Sequence, residues 1–515
     1  MHFSSMPLVG LGSIILLQIG VLGAPTYTPH TIVKRQSKER ADAVKEAFIF
    51  AWNGYSSLCW GYDELLPVSN TCGESRNGWG ASAVDALSTA LVMELPDIVN
   101  QILDYIPTID FRHTSTSVSL FETNIRYLGG MMSAYDLLTG PLSHLANSTS
   151  NVNALLTQSK NIANLLKTGF NTPTGIPLNT LNFTTNTTSS SSNTANIAEA
   201  GTLVLEWCRL SDLTNDTSYC TLASKAEAYL LNPLNPGYGE PFPGLIGQDL
   251  STVSGDFTTN SGGWVGGSDS YYEYLIKMYI YDSDKYSSYA DAWEEAADST
   301  IKYLTSHPSS RPDLTFLAAF DGTTPDLYSE HLSCFDGGNF ILAGTALQNS
   351  TYTDYGLALV QGCRATYAQT ATGIGPEIFE WNTTTLPAND TAFYNRTGFW
   401  IEDAIYDLRP EVIESYYYAY RATGNGTYAD WAWEAFVAIN TTTRTSTGFT
   451  EIGNVNVVGG GEKEDLQESF LFAEVMKYAF LIHADDSPYQ VFHNGKNQFV
   501  YNTEAHPFRV AGTPV

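Results

Sequence analysis

Basic residues are scarce in this 515-residue chain: 25 Lys and Arg stand against 54 Asp and Glu, for a net charge of −29. So acidic a surface repels nucleic acid and anionic membranes, and no basic stripe overrides it, which excludes both as partners. Cysteine is sparse as well. The six present have no spacing that resembles a zinc site. No Ser-His-Asp or Cys-His signature points to an activated nucleophile. The leading segment, "MHFSSMPLVGLGSIILLQIGVLGAP", has no Lys or Arg, and its apolar run is broken by glycines and Gln18. That makes it short for a membrane span.

What is present points to the secretory route. The first run ends in small residues, as a signal peptide does, which predicts cleavage after residues 1–24. Lys34–Arg35 offers a second, dibasic cut, so 25–35 reads as a propeptide. The mature chain, 36–515, is too long for one small core and calls for several domains or one large closed architecture. Ten N-x-S/T sequons, at Asn147, Asn182, Asn186, Asn215, Asn349, Asn382, Asn389, Asn395, Asn425 and Asn440, agree with a secreted glycoprotein. In an oxidising compartment the cysteines pair. Nearness in sequence favours Cys59–Cys72, Cys208–Cys220 and Cys334–Cys363, among the fifteen connectivities that six cysteines allow. The 31 Tyr and 10 Trp suit a sugar partner, because aromatic faces stack on pyranose rings, although aromatic cores supply them equally well.

Helical periodicity dominates the chain. "FETNIRYLGGMMSAYDLLTG" (from Phe121), "IAEAGTLVLEWCRLSDLTND" (Ile197), "SDSYYEYLIKMYIYDSD" (Ser268), "RPEVIESYYYAYRATGN" (Arg409) and "QESFLFAEVMKYAFLIHADD" (Gln467) share one design. Each opens near a carboxylate, continues apolar almost all the way round, and stops at Gly, Asn or Asp. Helices with so little polar face are buried on most sides. Amphipathic helices alternate with them. The leading acids Glu122, Glu199, Asp269, Glu411 and Glu468 recur at intervals of 77, 70, 142 and 57, and the segment around His331 fills the double interval. Roughly seven helix pairs result. They stack as an open solenoid or close into an α/α-barrel. Closure is favoured: it gathers the leading acids at one end of a ring, and neither chain end reads as a capping repeat. The tail "QFVYNTEAHP" then runs into the middle as a plug. The tract Asn182 to Asn196, rich in Ser and Thr, reads as a glycosylated loop.

Two acid pairs share helix faces, Asp269 with Glu273 and Glu411 with Glu414. Like charges so placed need a cation, a hydrogen-bond network or a raised pKa. Tyr271, Tyr272, Tyr274, Tyr416 and Tyr417 surround them, which favours an enclosed site over solvated helix caps. Several carboxylates in an aromatic cleft suit glycoside hydrolysis, where one carboxyl donates a proton and another activates water or attacks the sugar.

The chain resembles class I α-1,2-mannosidases, glycoside hydrolase family 47, and is most similar to their secreted filamentous-fungal branch. The resemblance covers nearly everything after Ala41. It rests on "WNGYSSLCWGYDELLPVSN", "NGWGASAVDALST", "FETNIRYLGG", "GGSDSYYEYLIKMY", "HLSCFDGGNF", "LRPEVIESYYYAYRATG", "QESFLFAEVMKY" and "FVYNTEAHP", eight blocks in the family's order. It implies an all-α fold, an (αα)7 barrel of alternating inner and outer helices plugged by a C-terminal β-hairpin, with 36–515 as a single catalytic domain. It also implies bound Ca²⁺ and inverting removal of α-1,2-linked mannose from high-mannose N-glycans. A monomer is expected, with no stable membrane association after signal cleavage.

By position, the resemblance makes Glu122 and Asp269 rival catalytic acids and Glu411 the water-activating base. Thr503 matches the Ca²⁺ ligand, binding through its hydroxyl and carbonyl oxygens. Asp85, Glu199, Glu273, Glu414, Glu474 and Glu504 match acids that hold the ion's waters or contact sugar. Arg126, His331, Arg409 and Phe470 match other active-site positions, Phe470 as a stacking platform. Cys334–Cys363 matches the family's common disulfide. One departure stands out: Gly267 replaces an arginine that many members carry, and the smaller residue predicts a wider pocket and broad trimming toward a five-mannose glycan. A barrel lectin without turnover and a retaining glycosidase are the rival readings.

Overall fold

The computed structural model describes residues 29–515 apart from 115, 186 and 189–192. The signal-like segment 1–24 lies outside the described residues, and the dibasic pair falls within the first helix. Outer and inner helices alternate along the chain. Outer α1 (Pro29–Leu58) precedes inner α2 (Ala81–Val92), and outer α3 (Pro96–Tyr105) precedes inner α4, which is Leu120–Thr123 and Gly129–Leu138 joined by the π-turn Asn124–Leu128. Outer α5 (Thr149–Leu166) leads to inner α6 (Ile197–Gly201 and Val204–Thr214), and outer α7 (Ser218–Leu231) to inner α8 (Asp269–Tyr281). Outer α9 (Ser287–Ser299), inner α10 (Phe335–Ala346), outer α11 (Ser350–Ala368) and inner α12 (Glu411–Thr423) follow. Outer α13 (Gly426–Thr442) and inner α14, the π-turn Leu471–Val475 continued by Met476–Leu481, complete the series.

The inner helices close a ring. α2 packs on α4, α4 on α6, α6 on α8, α8 on α10, α10 on α12, α12 on α14, and α14 returns to α2. The (αα)7 barrel is therefore closed, and the open solenoid is excluded. Sequence explains the two layers. Every residue of α2, a run of Ala, Val, Leu and small hydroxyls, is buried. α5 instead buries Val152, Leu155, Ser159, Ile162, Ala163 and Leu166, the three-and-four spacing of a one-faced helix. Each fully buried Leu, Ile or Phe contributes about 1.5–3 kcal/mol of apolar transfer.

Capping sets where the inner helices begin. The Ser119 side chain accepts the Glu122 backbone N–H at 3.2 Å, and the Asn196 side chain accepts that of Glu199 at 2.7 Å. Both acids thus stand at the third position of their helices, where the orphan N–H groups favour negative charge. At the far end, α12 stops on Gly424 at φ 67, whose N–H bonds back to the Tyr420 carbonyl. The tail forms an antiparallel hairpin, β1 (Phe499–Tyr501) and β2 (Pro507–Arg509), buried in contact with α8 and α4. It plugs the ring and lifts its tip, 502–506, toward the acid-bearing helix ends.

Short sheets that helical periodicity does not predict line the loop side. Tyr328–Glu330, Ile378–Glu380 and Trp400–Asp403 pair antiparallel over a satellite core that includes Phe316, Phe379, Trp381 and Phe399. Val118–Ser119, Thr180–Asn182 and Thr187–Thr188 form another, so the Ser/Thr-rich tract is partly strand at its edges. Cys59–Cys72, Cys208–Cys220 and Cys334–Cys363 are all bonded. Among the described residues no helix is long and apolar enough to cross a membrane.

Candidate active site

The N-terminal ends of the inner helices surround a cavity of about 350 Å³. Glu122 enters it from α4, Glu199 from α6, Asp269 from α8, Glu411 from α12 and Glu474 from α14; Thr503 and Glu504 come from the hairpin tip. Arg126, Arg409 and Phe470 also line it. Below lies a pocket of about 50 Å³, walled by Glu273, Glu414, Glu474 and Thr503 with Asp269 and Glu411 at its rim. Acids from five helices and the tail thus converge, although they are scattered over nearly 400 positions of sequence.

Arg126 organises one wall. Its Nε donates to Glu122 at 2.8 Å, and its Nη1 pairs with Glu504 and lies 3.5 Å from Asp85. Its guanidinium sits 5.4 Å from the centre of the Phe470 ring, which keeps that ring's other face for a ligand. Two expected positions stand back from the cavity. Asp85 is fully buried behind Arg126, where it accepts from Ser469 and contacts His506 Nε2 at 3.3 Å, so it is no carboxylate of the cavity wall. Its place in the middle of α2, one turn below the helix end, is the reason. His331 is also buried and reaches the cavity only by way of Glu411: its Nδ1 lies 3.0 Å from Glu411 Oε2 and its Nε2 2.7 Å from the Tyr367 hydroxyl.

The three central carboxyls differ in charge. Burial works against ionised Glu122, but the guanidiniums of Arg126 and Arg76 outweigh it and hold this carboxyl below the ordinary glutamate range. Burial likewise opposes ionised Glu411, and the His331 hydrogen bond, reinforced by Arg409, overcomes it. Asp269 has no such cation. Burial, with the negative charge of Glu330, Glu273 and Glu411, pushes it up to about 7. One cavity therefore holds two carboxylates kept ionised and one carboxyl that titrates near neutrality.

The floor gathers more carboxyls than cations. Lys277 pairs with Glu273. Glu414 is nevertheless pushed up to about 8 by burial and by its acidic neighbours, and Glu474 is raised in the same way by burial and Glu504. Among the described residues no three His, Cys, Asp or Glu side chains converge closely enough to hold a metal directly. The donors around Thr503 are all oxygen, which fits a hard cation held by that residue and through water, and the excess of carboxyls is what such an ion relieves.

The tip that presents Thr503 is held by buried polar contacts. Asn502 accepts the N–H groups of Glu504 and His506 at 3.0 and 2.8 Å, and its amide donates to Glu206 at 2.9 Å. The Tyr274 hydroxyl accepts the Thr503 N–H at 3.3 Å, and Lys477 Nζ donates to the Ala505 carbonyl at 2.6 Å.

Sequence reasoning missed several partners. Glu377 holds Arg409 from both carboxylate oxygens, at 2.8 and 2.7 Å from its Nε. Asn179 donates to Glu199 at 2.6 Å and accepts the Phe121 N–H at 2.8 Å, tying a loop to the start of α4. Asp63 accepts the backbone N–H groups of Arg76, Gly78, Trp79, Gly80 and Ala81 and so anchors the entry to α2. Its block "WGYDELLP" was visible, but nothing local marks it as an anchor. Gly267 lines the cavity at φ +83, and a Cβ there would lie 2.4 Å from Gln248 Nε2. The room freed by the missing side chain is thus partly filled by Gln248.

Three comparisons bear on this geometry. The family description "Glycosyl hydrolase family 47" matches residues 47–510. The chain is 57% identical over 477 residues, 92% of each chain, to the mannosyl-oligosaccharide alpha-1,2-mannosidase of Coccidioides posadasii. It is 55% identical, over 93% of each chain, to mannosyl-oligosaccharide alpha-1,2-mannosidase 1B of Aspergillus phoenicis. The structure of the alpha-1,2-mannosidase from Trichoderma reesei superposes with a TM-score of 0.90 at 49% identity, covering 92% of this chain and 99% of that one. With matches of this extent, and a carboxylate-lined cavity at the mouth of a closed helical ring, the chain belongs to glycosyl hydrolase family 47.

Proposed function

We propose that the protein is a Ca²⁺-dependent, inverting α-1,2-mannosidase that trims terminal mannose from high-mannose N-glycans. The observation that carries the reading is the convergence of Glu122, Asp269 and Glu411 on one cavity with their charges divided: Glu411 held ionised by His331 and Arg409, Asp269 raised by burial to titrate near neutrality. The names of the relatives supply the substrate class.

Glu411 takes a proton from a water molecule, and the hydroxide oxygen forms the new bond to the anomeric carbon as the glycosidic bond breaks. The leaving oxygen receives its proton from the acid, Asp269 or Glu122. α10 lies between α8 and α12 in the ring, so Asp269 and Glu411 approach the cavity from non-adjacent helices, an arrangement compatible with a water between them. Phe470 gives the terminal sugar an apolar face, and Arg409, fixed by Glu377, offers donors to its hydroxyls. Ca²⁺ bound at Thr503 would supply Lewis-acid polarisation of sugar hydroxyls; Glu273, Glu414 and Glu474 would hold its waters. Gly267, with Gln248 filling part of its space, leaves a wider wall than an arginine would and favours trimming toward a five-mannose product.

The sequons and bonded cystines support a secreted enzyme; the apolar leader and the dibasic pair are the grounds for a signal peptide at 1–24 and a propeptide at 25–35, ahead of one catalytic domain at 36–515. Replacing Glu411 by Gln tests the assignment. Turnover should fall by about a hundredfold or more with binding retained, and release of mannose at the parent rate would refute the base.

A further inference from the structure

We infer that Tyr367 is a positioning residue for the base: its phenol fixes which nitrogen of His331 carries the proton, and so aims Glu411 at the attacking water. The inference rests on the reading of Glu411 as base.

Tyr367 belongs to the outer helix α11, yet its side chain is fully buried and its hydroxyl reaches His331 Nε2 at 2.7 Å. The other ring nitrogen, Nδ1, stands 3.0 Å from Glu411 Oε2. A phenol on an outer helix thus belongs to a chain whose head is in the cavity, and its hydroxyl also meets that of Tyr406. An ionised carboxylate only accepts hydrogen bonds, and a neutral imidazole has one donor and one acceptor. Ionised Glu411 draws a ring proton to Nδ1; in the one-proton ring Nε2 then accepts, and the Tyr367 O–H is the donor that satisfies it. The imidazole cannot drift from this arrangement. The His331 backbone N–H donates to the Glu377 carbonyl at 2.8 Å, and the ring packs against Tyr406 with centroids 5.6 Å apart.

The groups facing Glu411 make this orientation matter. His331 and Arg409 favour its charge, whereas Asp269, Glu330, Glu414 and Glu474 from the neighbouring elements oppose it whenever they ionise. Without the phenol, Nε2 is a buried acceptor lacking its donor. Moving the proton to Nε2 would then turn the Nδ1 lone pair against the carboxylate. Either outcome loosens the base.

Tyr367→Phe keeps the ring and removes only the hydroxyl. The protein is labelled with ¹⁵N-histidine, and the His331 signals are assigned by their loss in His331→Gln. The parent should show Nδ1 protonated with Nε2 as an acceptor, and Tyr367→Phe should show the Nε2–H form or a mixture. On an α-1,2-linked mannose disaccharide, kcat of Tyr367→Phe should fall about tenfold or more while KM stays within about twofold. A parent ring protonated at Nε2, a variant with an unchanged ring, or an unchanged kcat would each overturn the assignment. Glu411→Gln runs alongside. Parent-rate turnover there would instead overturn the base itself, so the two failures are distinguishable.

Discussion

Arg126 donates to Glu122 from four residues further along the same helix, Nε to Oε2 at 2.8 Å, and so fixes the charge of the acid that opens α4. No cation plays that part for Asp269, whose carboxyl burial pushes up to about 7. Of the two rival acids, Asp269 is the one that still holds a proton near neutrality. A general acid works only while protonated, so kcat/KM should decline as pH rises through about 7. Asp269→Asn should cost about a hundredfold or more and erase that alkaline limb, whereas Glu122→Gln should keep it. The pH profiles of the two variants decide the matter: loss of the limb in Glu122→Gln alone would assign the acid to Glu122.

Arg126 also bears on stability. It is buried and stands against Asp85, Glu122 and Glu504 together. Arg126→Met leaves buried carboxylates without their cation and should cost about 3–5 kcal/mol in denaturant unfolding. A loss below about 1 kcal/mol would mean that neighbouring Lys477 or water takes over the charge.

Branch preference is the test of Gly267. Time-resolved profiling of a nine-mannose glycan should show several eight-mannose isomers in parallel, followed by the five-mannose product. Accumulation of one eight-mannose isomer would contradict the wider wall. Enlarging the residue carries its own cost: at φ +83, with Gln248 at 2.4 Å from a new Cβ, Gly267→Ala should lose about 1–2 kcal/mol of stability.

The ring was legible because its helices advertise themselves. Aromatic runs with no polar face demand burial on all sides, and the acids at their starts recur with the helix pairs. α2 escaped that pattern, since it opens on "ASAVDALST" with its acid in the middle, and only the likeness to a known family placed Asp85 near the site. Burial behind Arg126 then follows from that mid-helix position. The π-turns in α4 and α14, which widen the helix just where Arg126 and Glu474 turn inward, leave no mark in apolar periodicity. Glu377 and Asn179 were invisible for another reason. They sit on two- to four-residue strands or beside them, too short to show alternation, and their roles come from which helix the chain happens to meet.

The central claim is that acids from separate helices meet a threonine from the tail and work with a bound hard cation. Mannose release from an α-1,2-linked disaccharide, followed by NMR of the first-released anomer with and without a chelator, tests it most directly. The account predicts β-mannose as the first product, loss of release on chelation, and recovery when Ca²⁺ is restored. First release of α-mannose, or an enzyme indifferent to the chelator, would contradict it.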